Sequence, residues 1–463
     1  MSRAAKPGPS ATAPADPPPL LVGPATVFTP HRMLERAGVL VEHGRVKALG
    51  PYAALRRRAP KARTLQTDHA VILPGLINAH THLYSALARG MTVPGEPARN
   101  FVQILERLWW RLDKLLERDD HEVSALVGLI DCVRCGVTTI IDHHASPFAC
   151  VGSLAALRRA VERVGVRAAL CYEVSDRDGV AATRAGIEEN LRLARALERR
   201  PSDGVTAMFG IHALFTVSDR TLGECVEAAR AAKLGLHLHV AEDGADVRYN
   251  LRRHGERVVE RLHRFGALGP RTLAAHCVHV DRREIGLLAR TKTLVAHNPE
   301  SNMGNAVGFA PVFELLERGV TVGLGTDGYT ADVLRELKVA SLIQRHATGD
   351  PRRGWAEVQA IALDGTARLA SRVFGTRLGV LAPGAPADLV VFDYPSPTPL
   401  RANNLLGHLQ FGLDARHVVH VVARGRVLLQ DRRLLTVDEG AVMERAREHA
   451  ARLWQRVRRG PPR

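Results

Sequence analysis

The sequence lacks an apolar run long enough to cross a membrane. A transmembrane helix needs about 18 consecutive apolar residues, and no stretch of the 463 residues approaches that length. The N-terminal residues also lack the apolar segment of a secretory signal peptide. We therefore expect a cytoplasmic protein rather than a membrane protein.

Cysteine is also scarce, with six residues scattered through the chain. Only Cys132 and Cys135 lie close together, as a C-x-x-C pair within a helical pattern. A zinc ribbon requires a second such pair, and a thioredoxin-like redox site requires a different context. We therefore expect buried thiols in a reducing compartment rather than a disulfide scaffold.

Aromatic residues make up only 5% of the chain, and no local basic run carries interleaved aromatics. The formal net charge is nevertheless +16, and most of the positive charge comes from arginine. Such a charge is compatible with an anionic partner, but its even spread favours an arginine-rich surface. We expect neither a nucleic-acid partner nor a membrane partner.

The length and composition predict one large domain with an accessory domain. Residues 1–19 are rich in proline and alanine and carry too few large apolar groups to order, so they predict a disordered tail. Short alternating apolar runs occupy residues 20–70 and recur within 376–437. We expect these two segments to form one composite β-sandwich. Residues 438–463 predict an amphipathic helix followed by a short tail.

Between these segments, residues 71–375 alternate short apolar runs with longer helical stretches. This alternation is typical of β/α units around a parallel sheet. The candidate strands cover residues 71–80, 138–144, 167–174, 205–213, 234–242, 272–280, 293–299 and 321–328. Eight strands, each followed by a helix, predict a (β/α)8 barrel of TIM type. The predicted fold class is therefore α/β, with a barrel beside a small β-sandwich.

Histidine and carboxylate side chains recur where the predicted barrel strands end. They are His80 and His82 (strand 1), His239 and Glu242 (strand 5), His276 (strand 6), His297 (strand 7) and Asp327 (strand 8). Residues two apart in a strand point to the same side, so His-x-His aims two imidazoles at one point. In a barrel the carboxyl ends of the strands form the catalytic rim. Three histidines and a carboxylate there predict an open site for Zn²⁺ or a similar divalent ion.

The alternative interpretation is that several of these histidines are satisfied core residues. We expect that role for His237 and His279, because the alternation of side chains along a strand turns them away from the site. Chance placement explains the whole set less well, because its members end several different strands that converge on one rim.

The order of these motifs resembles that of the amidohydrolase superfamily. The resemblance rests on His80-x-His82 after Pro74-Gly75, His239-x-x-Glu242, His276-x-x-His279 and Gly325-Thr326-Asp327-Gly328. It points to the chlorohydrolase and aminohydrolase branch (ATZ/TRZ type), which contains guanine, S-adenosylhomocysteine and triazine deaminases. Stretches such as LWWRLDKLL (108–116) and HNPESNMGN (297–305) are similar to the SsnA-type aminohydrolases, whose substrate is poorly defined. The resemblance covers about residues 20–440.

The resemblance implies a role for each motif residue. His80, His82, His239 and Asp327 would bind one metal, Glu242 would shuttle protons, His276 would orient the attacking water, and Asp327 would accept its proton. Other branches hold two metals bridged by a carboxylated lysine, but the predicted third and fourth strands here contain no lysine. We therefore expect one divalent ion, Zn²⁺ or alternatively Fe²⁺.

The residues and the resemblance together predict a hydrolase of carbon–nitrogen bonds that deaminates a nitrogen heterocycle. A purine, a pterin or another cyclic amidine would lose ammonia as metal-activated hydroxide attacks the ring carbon and Glu242 protonates the adjacent ring nitrogen. The alternatives are a hydrolytic dehalogenase or a cyclic-amide hydrolase at the same site, and a non-catalytic scaffold. The complete residue set argues against a scaffold. A homo-oligomer is compatible with the fold family by analogy.

Substrate contacts are expected from the loops at the strand ends. The candidates are His212, His143, His144, Asn302 and Trp109. One of His143 and His144 is expected to face the pocket. Trp109 and Trp110 occupy adjacent helical positions and cannot share a face, so at most one is expected to cover a planar substrate. Packing roles for His212 and the tryptophans, and a loop-shaping role for Asn302, are open alternatives.

Overall fold

The computed structural model of the protein describes residues 18–29 and 32–460. The predicted disordered tail lies, as far as residue 17, outside the described residues, and so do residues 461–463 at the other end. Within the described residues, no helix combines the length and the apolar character that a membrane crossing requires. All six cysteines are free thiols, and Cys132 is buried while Cys135 is partly buried.

The strands and helices alternate along most of the chain. The strands are β1 (Leu20–Thr29), β2 (Arg32–Glu42), β3 (Arg45–Pro51), β4 (Arg63–Leu65), β5 (Ala70–Pro74), β6 (Leu76–Thr81), β7 (Val137–Asp142), β8 (Arg167–Leu170), β9 (Val205–Ala207), β10 (Phe209–Ala213), β11 (Leu236–Val240), β12 (Leu273–His276), β13 (Leu294–His297), β14 (Thr321–Leu324), β15 (Leu389–Asp393), β16 (Val418–Ala423), β17 (Arg426–Gln430) and β18 (Arg433–Leu434). The helices are α1 (Tyr52–Arg58), α2 (Phe101–Ile104), α3 (Trp110–Leu115), α4 (Arg118–Arg134), α5 (Ser153–Val164), α6 (Val180–Arg199), α7 (Asp219–Ala231), α8 (Gly244–His254), α9 (Val258–Arg264), α10 (Arg282–Thr291), α11 (Pro299–Gly304), α12 (Val312–Glu317), α13 (Val333–Thr348), α14 (Ala356–Gln359), α15 (Thr366–Phe374), α16 (Leu405–Phe411) and α17 (Glu439–Arg459). Single turns of 3₁₀-helix cover Leu83–Ala88, Leu214–Thr216 and Ala415–His417, and π-helical turns cover Leu105–Trp109 and Ala360–Gly365.

The N- and C-terminal segments pair in one nine-stranded sheet. Its order is β18-β17-β16-β15-β5-β1-β2-β3, with β4 paired to β1. The two segments meet where β15 runs antiparallel to β5, with Val390 opposite Leu73 and Val391 opposite Ile72. Ile72, Val391 and neighbouring apolar side chains form a separate core on one side of this sheet. The segments that were predicted to form a composite β-sandwich therefore share one sheet, and the sandwich arrangement stays a prediction.

The remaining strands form two parallel sheets, β6-β7-β8-β9 and β10-β11-β12-β13-β14, with helices between successive strands. Parallel strands need such crossovers, so an α/β class with parallel sheets is confirmed. Backbone bridges link the two sheets at both edges. Thr81 bridges Asp327 beyond β14, and Val174 beyond β8 bridges Ile211 in β10.

Two predicted strands are each divided in two. The run over residues 71–80 breaks at Gly75, so β5 enters the nine-stranded sheet and β6 enters a parallel sheet. Thr138 packs so closely that a Cβ on Gly75 would lie 2.2 Å from its Oγ1. The run over residues 205–213 breaks at Met208. The Met208 amide donates to Leu170 and the Phe209 amide donates to Gly235, so the chain changes neighbour between these two residues.

The largest apolar core lies between the parallel strands and the surrounding helices. The terminal helix α17 covers part of this core, because its buried Leu453 belongs to it. His449 of α17 also lies 2.8 Å from the carboxylate of Asp120 in α4. Polar side chains gather in a different place, at the carboxyl ends of β6, β11, β12 and β14.

Candidate active site

The histidines and carboxylates of the sequence motifs meet at the carboxyl ends of the parallel strands. His80 lies in β6, His239 in β11 and His276 in β12, while His82 and Asp327 follow β6 and β14. Their side chains are almost entirely buried, and their nitrogen and oxygen atoms group within 4.8 Å in several sets of three. The structure therefore brings together the five side chains that the sequence predicted around a metal ion.

Two of these residues have unusual backbone conformations. Asp327 has φ of 56° and His276 has φ of 74°, in the left-handed region that disfavours L-residues. The Asp327 amide donates to the carbonyl of His80 at 2.9 Å, and this bond helps to hold the strained residue in place. Such strain is typical of functional sites, because the surrounding structure must impose it.

His82 and His239 face each other in a way that suits a bound cation. Their Nε2 atoms lie 3.2 Å apart. The Nδ1 of His82 lies 2.6 Å from the carbonyl of His143, and the Nδ1 of His239 lies 3.0 Å from the carbonyl of His212. A carbonyl only accepts, so each Nδ1 donates its hydrogen and each Nε2 presents a lone pair. When both rings are neutral, these two lone pairs face each other, and a metal ion can be bound by both nitrogens.

The other donors converge on the same point. The Nε2 atoms of His80 and His276 are buried and have no hydrogen-bond partner among the described residues. Asp327 Oδ1 lies 2.9 Å from His82 Nε2 and 3.7 Å from His80 Nε2, and its Oδ2 lies 3.8 Å from His276 Nε2. Imidazole nitrogen with carboxylate oxygen is a donor set that Zn²⁺ takes. The residues therefore fit one divalent ion, which His80, His82, His239 and Asp327 could hold.

Glu242 lies beside these donors. Its Oε2 is 3.5 Å from His276 Nε2, and its Oε1 accepts a hydrogen bond of 3.4 Å from the amide of Asn305. Ser301 donates to Asp327 Oδ2 at 2.5 Å. Burial, and then the charge of Asp327, raise the pKa of Glu242 well above its ordinary range. The raised pKa favours the protonated carboxyl group, which can donate its hydrogen to a bound molecule.

A cavity opens from the donors to solvent. Besides His82, His239, Glu242 and Asp327, it is lined by Tyr84, Phe101, Leu105, Trp109, Trp110, Asp113, Glu173, His212, Phe215, Asn305 and Tyr329, among others. Both tryptophans line it, and the expectation that at most one of them covers a planar substrate stays a prediction. Trp109 ends the π-helical turn Leu105–Trp109, and Trp110 follows it directly.

The residues predicted to contact substrate separate into two groups. His212 and Trp109 line the cavity, whereas His143, His144 and Asn302 do not. His143 is fully buried, and its Nε2 lies 3.2 Å from the carbonyl of His237. His144 bonds to Ser146, and its ring packs against His121 at 5.0 Å, away from the site. Asn302 accepts from His276 Nδ1 at 2.8 Å.

The structure places these three side chains outside the cavity wall, and their contact with substrate stays a prediction. His143 and His144 are consecutive residues beyond β7; His143 Nε2 faces the carbonyl of His237, and His144 Nε2 faces the hydroxyl of Ser146. Asn302 lies in α11 behind His276, where its bond to Nδ1 leaves the His276 Nε2 lone pair directed at the site. Asn302 thus orients His276.

Two acidic residues in the cavity wall were not predicted. Glu173 follows β8, and its Oε1 accepts from Arg177 at 3.1 Å. Asp113 in α3 lies 3.5 Å from the same guanidinium, which also stacks on the Trp110 ring at 4.7 Å. Burial raises the pKa of Asp113 to about 7, against the opposing charge of Arg177. Glu173 could have been found from its place at a strand end, but no sequence signal marked Asp113 in its helix.

The sequence matches the model of the amidohydrolase family over residues 71–428. This range contains the parallel strands and every residue of the site described above. Residues 37–62 also match the model of the imidazolonepropionase-like composite domain of bacteria. That shorter match lies within the nine-stranded sheet and helix α1.

Curated relatives and a solved structure are similar over nearly the whole chain. A 5-methylthioadenosine/S-adenosylhomocysteine deaminase of Haloarcula marismortui is 35% identical over 447 residues, which cover 95% of this chain and 99% of that protein. A 5'-deoxyadenosine deaminase of Methanosarcina mazei is 30% identical over 430 residues, 92% of this chain and 95% of that protein. The crystal structure of an adenosine deaminase from Xanthomonas campestris with bound zinc has a TM-score of 0.85 and 25% identity, covering 96% of this chain and 100% of that one.

Proposed function

Because the chain belongs to the amidohydrolase family and its relatives are deaminases, it hydrolyses a carbon–nitrogen bond of a heterocycle, and we propose that this heterocycle is the 6-aminopurine ring of an adenosine derivative. The observation that carries the proposal is the position of Glu242, 3.5 Å from His276 and beside four imidazoles and a carboxylate that converge on one point. The three relatives named above all carry names of adenosine-type deaminases.

We propose Zn²⁺ as the ion, held by His80, His82, His239 and Asp327. Support comes from the facing Nε2 atoms of His82 and His239 and from a relative that contains zinc. One ion rather than two is favoured because β8 to β10 carry no lysine that could bridge a pair. When bound, the ion lowers the pKa of water so that hydroxide is available near neutral pH.

The protein's own side chains then move the protons. Asp327 accepts the proton of the attacking water. Its Oδ2 also receives a hydrogen bond from Ser301, which fixes the orientation of the carboxylate. His276, with its Nδ1 bound to Asn302, offers an Nε2 lone pair that orients the same water. Glu242, whose raised pKa keeps it protonated, donates to the ring nitrogen next to the attacked carbon. The proton held by Asp327 passes to the leaving amine, and ammonia departs.

The domain organisation follows the same reasoning. We propose that the two parallel sheets form one (β/α)8 barrel over residues 71–375, since they are bridged at both edges. Residues 20–70 and 376–437 would form the composite β-sandwich, which the bacterial composite-domain match supports. Residues 438–463 would form a terminal helix and tail. A cytoplasmic location, a homo-oligomer and the lack of a nucleic-acid partner stay predictions from the sequence.

The decisive experiment is an ammonia-release assay of the zinc-loaded protein. Adenosine, 5'-deoxyadenosine, 5'-methylthioadenosine and S-adenosylhomocysteine would be compared with guanine, a pterin and a chlorinated triazine. We expect ammonia in equal amount to a 6-oxopurine product, and about one equivalent of metal per chain. Release of halide or of a ring-opened acid without ammonia would show instead that the site performs a different hydrolysis.

A further inference from the structure

The side-chain amide of Asn305 lies between the two carboxyl groups of the site. Its Nδ2 is 3.4 Å from Glu242 Oε1 and 3.4 Å from Ser301 Oγ, and Ser301 in turn donates to Asp327 Oδ2 at 2.5 Å. Asn305 is almost entirely buried, and it follows helix α11 directly in the wall of the cavity. One side chain therefore links the proposed acid, Glu242, to the proposed base, Asp327.

Ser301 determines which way the amide of Asn305 is turned. The hydroxyl hydrogen of Ser301 is used by the carboxylate of Asp327, which only accepts, so the Ser301 oxygen can only accept from any further partner. If the amide were turned over, the amide oxygen of Asn305 would face this oxygen with no hydrogen between them. The NH2 group therefore faces Ser301 and Glu242, with one hydrogen directed to each.

Tyr329 holds the other end of the amide. Its hydroxyl donates to Asn305 Oδ1 at 3.2 Å. Burial, and then the charges of Asp327 and Glu242, raise the pKa of Tyr329 to about 12, so the hydroxyl keeps its hydrogen near neutral pH. The ring of Tyr329 lies directly against Gly304, where an added Cβ would be 2.4 Å from the hydroxyl oxygen. A side chain at position 304 would therefore displace the hydroxyl from Asn305.

We propose that Asn305 is a positioning residue for Glu242: by donating to Oε1 it leaves the acidic hydrogen on Oε2, and Tyr329 holds Asn305 in that orientation. This inference rests on the proposed function. A hydrogen on Oε1 would point at the amide N–H of Asn305, whereas Oε2 lies 3.5 Å from His276 Nε2 and faces the site. When the hydrogen moves from Oε2 to the ring nitrogen of the substrate, the O–H bond breaks and a carboxylate remains. The N–H of Asn305 stabilises the negative charge that develops there.

The kinetics of Asn305 variants test the positioning role. Asn305→Leu removes both hydrogens of the amide, so kcat should fall roughly ten- to a hundredfold with little change in KM. Asn305→Asp should lower kcat further, because its carboxylate keeps the bond to Tyr329 but accepts the hydrogen of Glu242 on Oε1. A loss confined to KM would show instead that Asn305 only binds the substrate, and it would overturn the inference, as would unchanged kinetics in both variants.

A double-mutant cycle with Glu242 separates positioning from packing. In Glu242→Gln protein the acidic hydrogen is absent, so adding Asn305→Leu should change kcat by less than about threefold. A purely structural role would instead multiply the two losses, because independent effects on the activation barrier add. Equal factors for Asn305→Leu in both backgrounds would therefore overturn the inference.

Tyr329→Phe and Gly304→Ala test how Asn305 is held. Both changes remove the hydroxyl contact with Asn305, one by deletion and the other by displacement, so both should lower kcat about two- to tenfold. Tyr249→Phe is the matched control, because the Tyr249 ring packs against His254 in a different cavity. Tyr329 is 42% exposed, so Tyr329→Phe should fold even if Asn305→Leu does not. Unchanged kcat in both variants would refute the holding role of Tyr329.

An infrared measurement on the zinc-loaded protein keeps this inference distinct from the proposed function, because it needs no turnover. Subtracting the spectrum of Glu242→Gln isolates the C=O stretching band of the protonated Glu242 carboxyl group. A hydrogen bond to Oε1 lowers the frequency of that band, so Asn305→Leu should raise it, whereas Tyr249→Phe should leave it in place. Such a shift without any ammonia release would refute the deaminase proposal but support the role of Asn305. Ammonia release without a Glu242 band, or with a band that Asn305→Leu does not move, would do the reverse.

Discussion

His237 Nε2 lies 2.9 Å from Nδ1 of His80, and both rings are fully buried. On its other side, His237 Nδ1 lies 3.6 Å from the sulfur of Cys171, whose thiol donates to the carbonyl of Asp142 at 3.4 Å. The groups form a directional chain, in which His80 donates to His237 and His237 donates to Cys171. This direction leaves the Nε2 lone pair of His80 facing the candidate metal site.

The first prediction is that His237→Phe weakens metal binding. Phenylalanine fills the space but accepts no hydrogen bond, so the His80 ring loses the partner that fixes its hydrogen on Nδ1. Removing such an outer partner weakens metal affinity by roughly ten- to a hundredfold. The dissociation constant for Zn²⁺, measured in competition with a chromophoric chelator, checks the effect.

Two further variants sharpen that measurement. His237→Gln offers an acceptor oxygen and should recover part of the affinity. His279→Phe is the control, because the His279 ring bonds to the carbonyl of Val307 and not to a metal donor. An unchanged Zn²⁺ affinity in a folded His237→Phe protein would show that the contact with His80 has no influence on the site.

The second prediction separates proton transfer from metal binding. Glu242→Gln keeps the shape of the side chain but removes the acid, so kcat should fall by about a hundredfold to ten-thousandfold while the metal content stays the same. Asp327→Asn should reduce both quantities, because Asp327 is also a proposed ligand. Elemental analysis with steady-state kinetics checks both, and Glu224→Gln, an exposed carboxylate paired with Arg220, is the control. Loss of metal from Glu242→Gln would assign Glu242 to the ligands instead.

The strand-end histidines could be placed from the sequence because parallel strands bring their carboxyl ends to one edge whatever the loop details. His80, His239 and His276 therefore meet although about 160 to 200 residues separate the first from the others. Glu173 obeys the same rule and was overlooked. The sequence determines less well to which side of a strand a side chain points, because a shift of one residue in the predicted strand reverses that side. For that reason the sequence could not determine which of His143 and His144 points to the cavity.

Residues contributed by helices could not be predicted in the same way. Asp113 and Trp110 line the cavity from α3, which follows the π-helical turn Leu105–Trp109, and no periodicity in the sequence marks that turn. The two divided strands depend likewise on their neighbours. The chain passes from one sheet to the next at Gly75 and at Met208. The packing of Thr138 determines the first position, and hydrogen bonds to two different strands determine the second.

The third prediction concerns stability against pH. Burial raises the pKa of Glu336 from 4.5 to about 8, and the charges of Glu300 and Asp327 add to the shift against a bond from the Glu300 amide. Because the pKa of Glu336 is higher in the folded protein than in the unfolded one, the protonated side chain contributes fully to the free energy of unfolding below about pH 4.5. That contribution is lost as the pH rises through 8. Glu336→Gln stays neutral, so its stability relative to wild type should increase by about 1–3 kcal/mol between pH 5 and pH 9.

Urea unfolding at pH 5, 7 and 9 checks this expectation. Glu317→Gln is the control, because its side chain is 65% exposed and lies at the surface beside Arg353. The control protein should follow the pH profile of the wild type. Parallel profiles for wild type and Glu336→Gln would mean that Glu336 is ionised in the folded protein.

The fourth prediction is that metal ions stabilise the chelator-treated protein strongly and selectively. The Nε2 atoms of His82 and His239 lie 3.2 Å apart in the folded chain, so a cation that binds both nitrogens binds the folded state and not the unfolded one. Binding to the folded state alone adds about 4 kcal/mol when the free ion is a thousandfold above its dissociation constant. Zn²⁺ should therefore raise the thermal midpoint by several degrees, whereas Mg²⁺, which prefers oxygen donors, should change it little. His82→Leu should abolish the zinc effect, because one of the two opposing nitrogens is removed. Equal stabilisation by Zn²⁺ and Mg²⁺, or an undiminished effect in His82→Leu, would place the bound ion at another site.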